Sequence, residues 1–190
     1  MLDLDDEPVG APPLPDFYEV VNGEVIEVEP MSNYSAEVAN RLLEPLSEYG
    51  KRKQFGRPRM DTLYRLPLPE DETRNRRPDL SFVTFDRWPD TKPIPYRGNP
   101  ADVVPDLVVE VASPTDDAEA LQEKVNEYLR AGVRLVWVIY PLVRKLYAYI
   151  VPNAVHIFAE GDALDAGDVL PGFSVPMASL FPPMAPEPAA

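Results

Sequence analysis

Asp106-Leu107-Val108-Val109-Glu110-Val111 is an apolar, valine-rich run broken by one carboxylate, and after Ala112-Ser113-Pro114 a helical pattern follows from Thr115 to Ala131. A short apolar run bounded by turn residues reads as a strand covered on both faces. The segment after it puts Leu121, Val125, Tyr128 and Leu129 on one inward helical stripe, and Gly132 closes it as the left-handed residue past the helix end. Val133 to Ile139 is then a second buried strand. Strand, helix and strand in that order build a sheet with helices on its faces.

On the N-terminal side, Asp61 to Leu66 and Leu80 to Phe85 read as further strands separated by proline-rich loops. A helix is expected from about Ser35 to Lys53, capped by Ser32 or Asn33, with Val38, Leu42, Leu46 and Tyr49 at helical spacing. Pro45 within it predicts a kink or a break. Tyr18 to Val28 alternates around Asn22-Gly23, a strong hairpin signal, and Lys145 to Val151 with Val155 to Phe158 forms a second hairpin around Pro152-Asn153. The fold class is therefore α/β, a mixed central β-sheet flanked by helices with N-terminal and C-terminal β-hairpins. Residues 1–15, acidic and interrupted by Pro8, Pro12, Pro13 and Pro15, are expected to be a flexible arm; 16–181 form one domain and 182–190 a Pro/Ala-rich tail.

With 190 residues, 45% of them hydrophobic, the chain has enough apolar mass for one core. It has no cysteine, which excludes disulfides, thiolate zinc and iron–sulfur sites and cysteine nucleophiles. The single histidine, His156, falls in the second hairpin, so histidine-rich metal sites are excluded and a Ser-His-Asp triad is disfavoured. No apolar window is long enough to span a bilayer, and the acidic Met1 to Glu7 lacks the positive charge of a secretory signal; a cytoplasmic protein is expected. The net charge of −14 opposes a generic polyanion coat. Between Lys51 and Arg77, however, nine basic residues stand against four acidic ones. That run is either a solvated surface or a local phosphate-facing patch.

A carboxylate inside a doubly covered strand costs several kcal/mol unless a partner or cation neutralises it. Glu110 is thus either half of a buried ion pair or part of a site. Asp79, in Arg77-Pro78-Asp79-Leu80, is either a turn residue after proline or the opening residue of a neighbouring strand that brings a second carboxylate to Glu110. Two carboxylates, waters and phosphate oxygens suit Mg²⁺, a hard cation. Asp106 shares a face with Glu110, but four residues at about 3.3 Å each separate them by roughly 13 Å, so Asp106 is a hydrogen-bonding residue at the start of the strand. Lys124, at the edge of the inward helical stripe, either points its ammonium toward the sheet or pairs with Glu127 on its own helix.

Glu110-Val111-Ala112-Ser113-Pro114-Thr115-Asp116, Glu123-Lys124-Val125-Asn126-Glu127-Tyr128, Ala131-Gly132-Val133 and Val136-Trp137-Val138 together resemble the signature of the Uma2 group of the PD-(D/E)XK nuclease superfamily. The opening Tyr18 to Val25 and the closing Gly167 to Phe173 resemble it too, so the likeness spans roughly Phe17 to Phe181. The resemblance implies a restriction-endonuclease-like core, with Asp79 as the "PD" aspartate and Glu110 as the acid of the (D/E)XK element. Ala112 stands where the plain motif has lysine, and Lys124 resembles the relocated lysine of this group; Ser35 stands where relatives often carry a histidine. It further implies Mg²⁺ or Mn²⁺ held by Asp79, Glu110 and the Val111 carbonyl. The activity implied is hydrolysis of DNA phosphodiesters with Lys124 orienting water or stabilising developing charge. Arg57, Arg59, Arg76 and Arg77 are the candidates for the phosphate backbone, a contact type that carries little sequence information. A homodimer through the hairpin edges is expected. Two other functions fit the same fold: a scaffold or regulatory binding module without turnover, and hydrolysis of another phosphate ester.

Overall fold

The computed structural model describes residues 14–94, 100–151 and 154–184. Asn22 and Gly23 both take positive φ, 53° and 80°, as a type I′ turn requires. They join β1 (Tyr18–Val21) to β2 (Glu24–Glu27). Ser32 caps α1 (Asn33–Lys53), its Oγ accepting the Ser35 N–H at 3.1 Å. Pro45 lies inside α1 without ending it. β3 (Gly56–Met60) comes five residues before the strand expected from Asp61. The sequence hides it because Pro58 argues against a strand, yet β3 is the outer strand of its sheet, where a missing ladder donor is tolerated. Asp61 instead turns the chain, with φ of 46°.

Two short strands, β4 (Tyr64–Arg65) and β5 (Asn75–Arg76), precede β6 (Leu80–Thr84) and β7 (Leu107–Val111). α2 (Ala118–Arg130) begins three residues later than Thr115, because Asp117 is its cap: the Asp117 carboxylate accepts the Ala120 N–H at 2.8 Å. Gly132, at φ 100°, ends the connection as expected. β8 (Leu135–Tyr140), β9 (Lys145–Ile150) and β10 (Ala154–Ala159) follow, then β11 (Ala163–Asp165), β12 (Ser174–Pro176) and a 3₁₀ turn at Met177–Leu180. Pro152-Asn153, expected to turn the second hairpin, lie outside the described residues, as do most of the expected arm and tail. Pro182 is buried and its carbonyl accepts the Tyr34 hydroxyl at 2.9 Å, so packing runs one residue past the expected domain end.

The main sheet has the order β10-β9-β8-β7-β6-β3. Only β7 and β8 run parallel, as a crossover through α2 demands; the other neighbours are antiparallel. A smaller sheet, β2-β1-β5-β4, stands beside it. One face of the main sheet, with Leu80, Phe82, Val109 and Trp137, buries α1 through Val38, Leu42, Leu46 and Tyr49. The opposite face, with Val83, Val108, Val136 and Val138, packs against Val125 and Tyr128 of α2. This is the expected mixed α/β architecture with a helix on each face. Asp106 behaves as its spacing predicts, accepting the Thr84 N–H at 2.9 Å and an ion pair from Arg87 at 3.1 Å. No helix among the described residues is long and apolar enough to cross a membrane.

Candidate active site

β6 and β7 pair antiparallel with Leu80 opposite Val109. One step further along that register, Asp79 stands opposite Glu110, so the pairing required to bring the two carboxylates together is present. One carboxylate oxygen of Asp79 accepts the Val111 N–H at 2.7 Å. One oxygen of Glu110 accepts the Tyr128 hydroxyl at 2.7 Å. Among the described residues each carboxylate therefore spends one oxygen on the protein and keeps the other. Burial pushes Asp79 up to about 6, against the Val111 N–H and Lys124. It pushes Glu110 up to about 8, with Lys124 opposing and Asp79 and Glu19 adding to the rise. Glu110 makes no ion pair among the described residues, so its burial is not explained by a structural salt bridge.

Lys124 reaches toward the sheet. Its ammonium does not bond Glu127; it donates to Glu19 on β1 at 3.0 Å. Glu19 is 2% exposed, and it also accepts from Arg76 at 2.6 Å and from the Arg77 N–H at 3.1 Å. Burial alone would raise Glu19, but Lys124 and Arg76 outweigh it and hold the carboxyl below its ordinary value. Lys124 is likewise held above its ordinary value, since Glu110 and Glu19 outweigh its burial. Glu127 bonds Arg74 and Arg76 instead. The sequence marked Lys124 as inward but gave no sign of Glu19, because strand alternation at the hairpin shows only an acid between Tyr18 and Val20.

These groups open into one cavity of about 810 Å³ that holds Glu19, Asp79, Glu110, Val111, Lys124 and Arg77. Ser35 is also in its wall, bonded to Ser32 at 2.9 Å. Among the described residues no three Asp, Glu or His side chains cage a metal by themselves. Two carboxylates of raised proton affinity, each with one oxygen that no bond from the described residues occupies, are donors of the kind a hard cation takes together with water and phosphate oxygens.

The four arginines proposed for phosphate fall in different places. Arg77 lines the cavity. Arg76 is 8% exposed and paired with both Glu19 and Glu127, so its charge is neutralised inside the protein rather than presented to a phosphate backbone. Arg57 and Arg59 sit along β3 outside the cavity, Arg57 paired with Asp90 at 3.0 Å and Arg59 stacked 4.2 Å from the Trp88 ring centre. The basic run is thus no single patch, since Lys51 to Lys53 end α1 and Ser35, at its start, borders the cavity roughly 24 Å away.

No curated protein matches the chain. Among solved structures, that of a "putative nuclease belonging to DUF820" from Anabaena variabilis ATCC 29413 is similar, with a TM-score of 0.70 over 86% of this chain and 89% of that chain at 17% identity; the likeness is one of fold. The profile of the Uma2 family, described as "Putative restriction endonuclease", matches residues 12–178. The match takes in Glu19, Asp79, Glu110 and Lys124 together with both helices and the sheet between them, and the chain belongs to the Uma2 family.

Proposed function

We propose that this chain is a divalent-metal-dependent endonuclease that hydrolyses DNA phosphodiester bonds. The observation that carries the reading is the Asp79–Glu110 pair: two buried carboxylates from facing strands, each with one oxygen free and both pushed up in proton affinity, beside a lysine held on the cavity side of α2. Perturbation of that kind, by burial together with named charges in a cleft, marks functional sites. Asp79, Glu110 and the Val111 carbonyl would hold Mg²⁺ or Mn²⁺. Such a cation supplies a Lewis acid for a phosphoryl oxygen and a bound water of lowered pKa. Lys124, oriented by Glu19, places its ammonium where charge develops at phosphorus or hydrogen-bonds the attacking water. Arg77 offers the phosphate its remaining donor edge.

Cleavage of plasmid and of circular single-stranded DNA with Mg²⁺ or Mn²⁺ tests the assignment, with Asp79→Ala and Glu110→Ala beside the parent. Each variant is expected to lose roughly a hundredfold or more in rate; equal rates in all three remove both residues from the chemistry. The carboxylate-rich cavity favours one rival, a binding module without turnover, which predicts partner retention and no cleavage by the parent. The exposed outer strand β10, with Val155 and Ile157 at 48% and 55% exposure, is the edge expected to pair two copies. Val155→Lys should then leave a monomer in sedimentation, and a parent that is already monomeric refutes the pairing.

A further inference from the structure

The nuclease reading leaves open which form of nucleic acid enters, and the cavity narrows that choice. Phe17, Val28, Met31 and Leu121 line the same space as Asp79, Glu110 and Lys124. A phosphodiester gains nothing from an apolar wall, whereas a base does. Phe17 lines the cavity with the Arg77 guanidinium 5.5 Å from its ring centre, so an aromatic face and a cation stand side by side. The space, about 810 Å³, is that of a small-molecule site rather than a surface track.

Charge points the same way. Seven carboxylates line the cavity and only two cations, Arg77 and Lys124. Glu29, Asp116 and Asp117 line the cavity and are exposed, so they repel any phosphates that flank one bound there. The other cations of the basic run lie outside the cavity: Arg74 and Arg76 are buried in ion pairs, Arg57 and Arg59 lie along β3 against Asp90 and Trp88, Arg65 is on β4, and Lys51 to Lys53 end α1 a helix length away. A protein that tracks duplex DNA neutralises some six to ten phosphates. Resting on the nuclease reading, we infer that the site takes one or two unpaired nucleotides of a single strand, the base against the Phe17–Met31 wall and the phosphate at Asp79, Glu110 and Lys124.

Fluorescence anisotropy with a labelled oligothymidylate and a labelled hairpin duplex of equal phosphate count, in Ca²⁺ across a salt series, tests this. With two cations engaged, the single strand should bind more tightly and log K should fall with log salt at a slope of about −1.4. Phe17→Ala, and independently Met31→Ala, should each weaken single-strand binding roughly tenfold, with thermal melting confirming that each variant folds. A duplex that binds as tightly as the single strand with a slope of about −5 or steeper overturns the inference, as does unchanged affinity in both wall variants. Cleavage of the same two substrates in Mg²⁺ separates the two claims. Duplex cut as fast as single strand sinks this inference and leaves the nuclease reading standing. No cleavage of either, with the binding pattern intact, sinks the nuclease reading and upholds the single-strand pocket.

Discussion

Replacing Glu110 with glutamine should stabilise the metal-free protein at neutral pH while abolishing its chemistry. Glu110 is 7% exposed, and burial pushes its carboxyl from an ordinary 4.5 to about 8. A folded-state pKa raised above the unfolded one means that the native protein binds the extra proton. That contribution is fully favourable below about pH 4.5 and is lost as pH rises toward 8. Each pH unit within the window costs up to about 1.4 kcal/mol, so between pH 4.5 and 7 the parent forfeits on the order of 3 kcal/mol at this one position. A glutamine side chain has no proton to lose, fills nearly the same volume and can still accept the Tyr128 hydroxyl through its carbonyl oxygen.

Urea unfolding in chelator, repeated across that pH range, reads the difference directly. Glu110→Gln should match the parent near pH 4.5 and exceed it by about 3 kcal/mol at pH 7. Asp79, pushed up to about 6 by burial, adds a slope of its own, but it does so in both proteins and largely cancels. Saturating Mg²⁺ should then restore the parent by up to about 2.7 kcal/mol at a hundredfold excess over its dissociation constant, and leave Glu110→Gln unmoved. A stability difference that does not change with pH, or a variant less stable than the parent at pH 7, refutes the reasoning.

Glu19→Gln should cut kcat about tenfold with little change in KM, because Glu19 acts through Lys124. The double variant with Lys124→Ala should be no slower than Lys124→Ala alone, and additive losses would show that Glu19 does something else. Glu127→Gln should destabilise by about 3 kcal/mol, the low end for breaking a buried pair, since Arg74 keeps Asp71 and Arg76 keeps Glu19. A shift under about 1 kcal/mol in denaturant unfolding would mean that the network relaxes without it.

What the sequence made legible follows from which interactions are local. Asn22-Gly23 fixes its hairpin because positive φ at both positions is a property of those two residues. Glu110 is conspicuous because a carboxylate in a run of valines has a cost that no neighbour in sequence offsets. Asp79 follows once two strands are assumed to pair. Glu19, by contrast, sits among alternating residues like any exposed strand acid, and only the packing of β1 against β5 buries it beside Arg76. Arg74 and Arg76 read as part of a basic surface run for the same reason: β5 is two residues long, and its place between β1 and β4 is a tertiary fact. β3 is obscured by Pro58, whose effect on a strand depends on whether that strand is at the edge. Tyr128 reads as apolar packing, since nothing near it in sequence reveals that its hydroxyl ends on Glu110.

The residues that escaped the sequence converge on one element. Lys124, Glu127 and Tyr128 stand at i, i+3 and i+4 on α2, a spacing that puts all three on one face. Lys124 bonds Glu19 of the small sheet, Glu127 bonds Arg76 of β5 and Arg74 just before it, and Tyr128 bonds Glu110 of the main sheet. α2 is therefore the piece that sets the small sheet against the large one and, in the same act, sets the lysine against the carboxylate pair. Its start is fixed just past β7 by Asp117, which caps it, and by Asp116, whose carboxylate accepts the Ser113 N–H at 2.8 Å. If Lys124 is the site's lysine, as proposed, with Ala112 in the usual place on the strand that carries the acid, the site needs a helix held this firmly. The strand no longer sets the distance between the two groups, so the helix must.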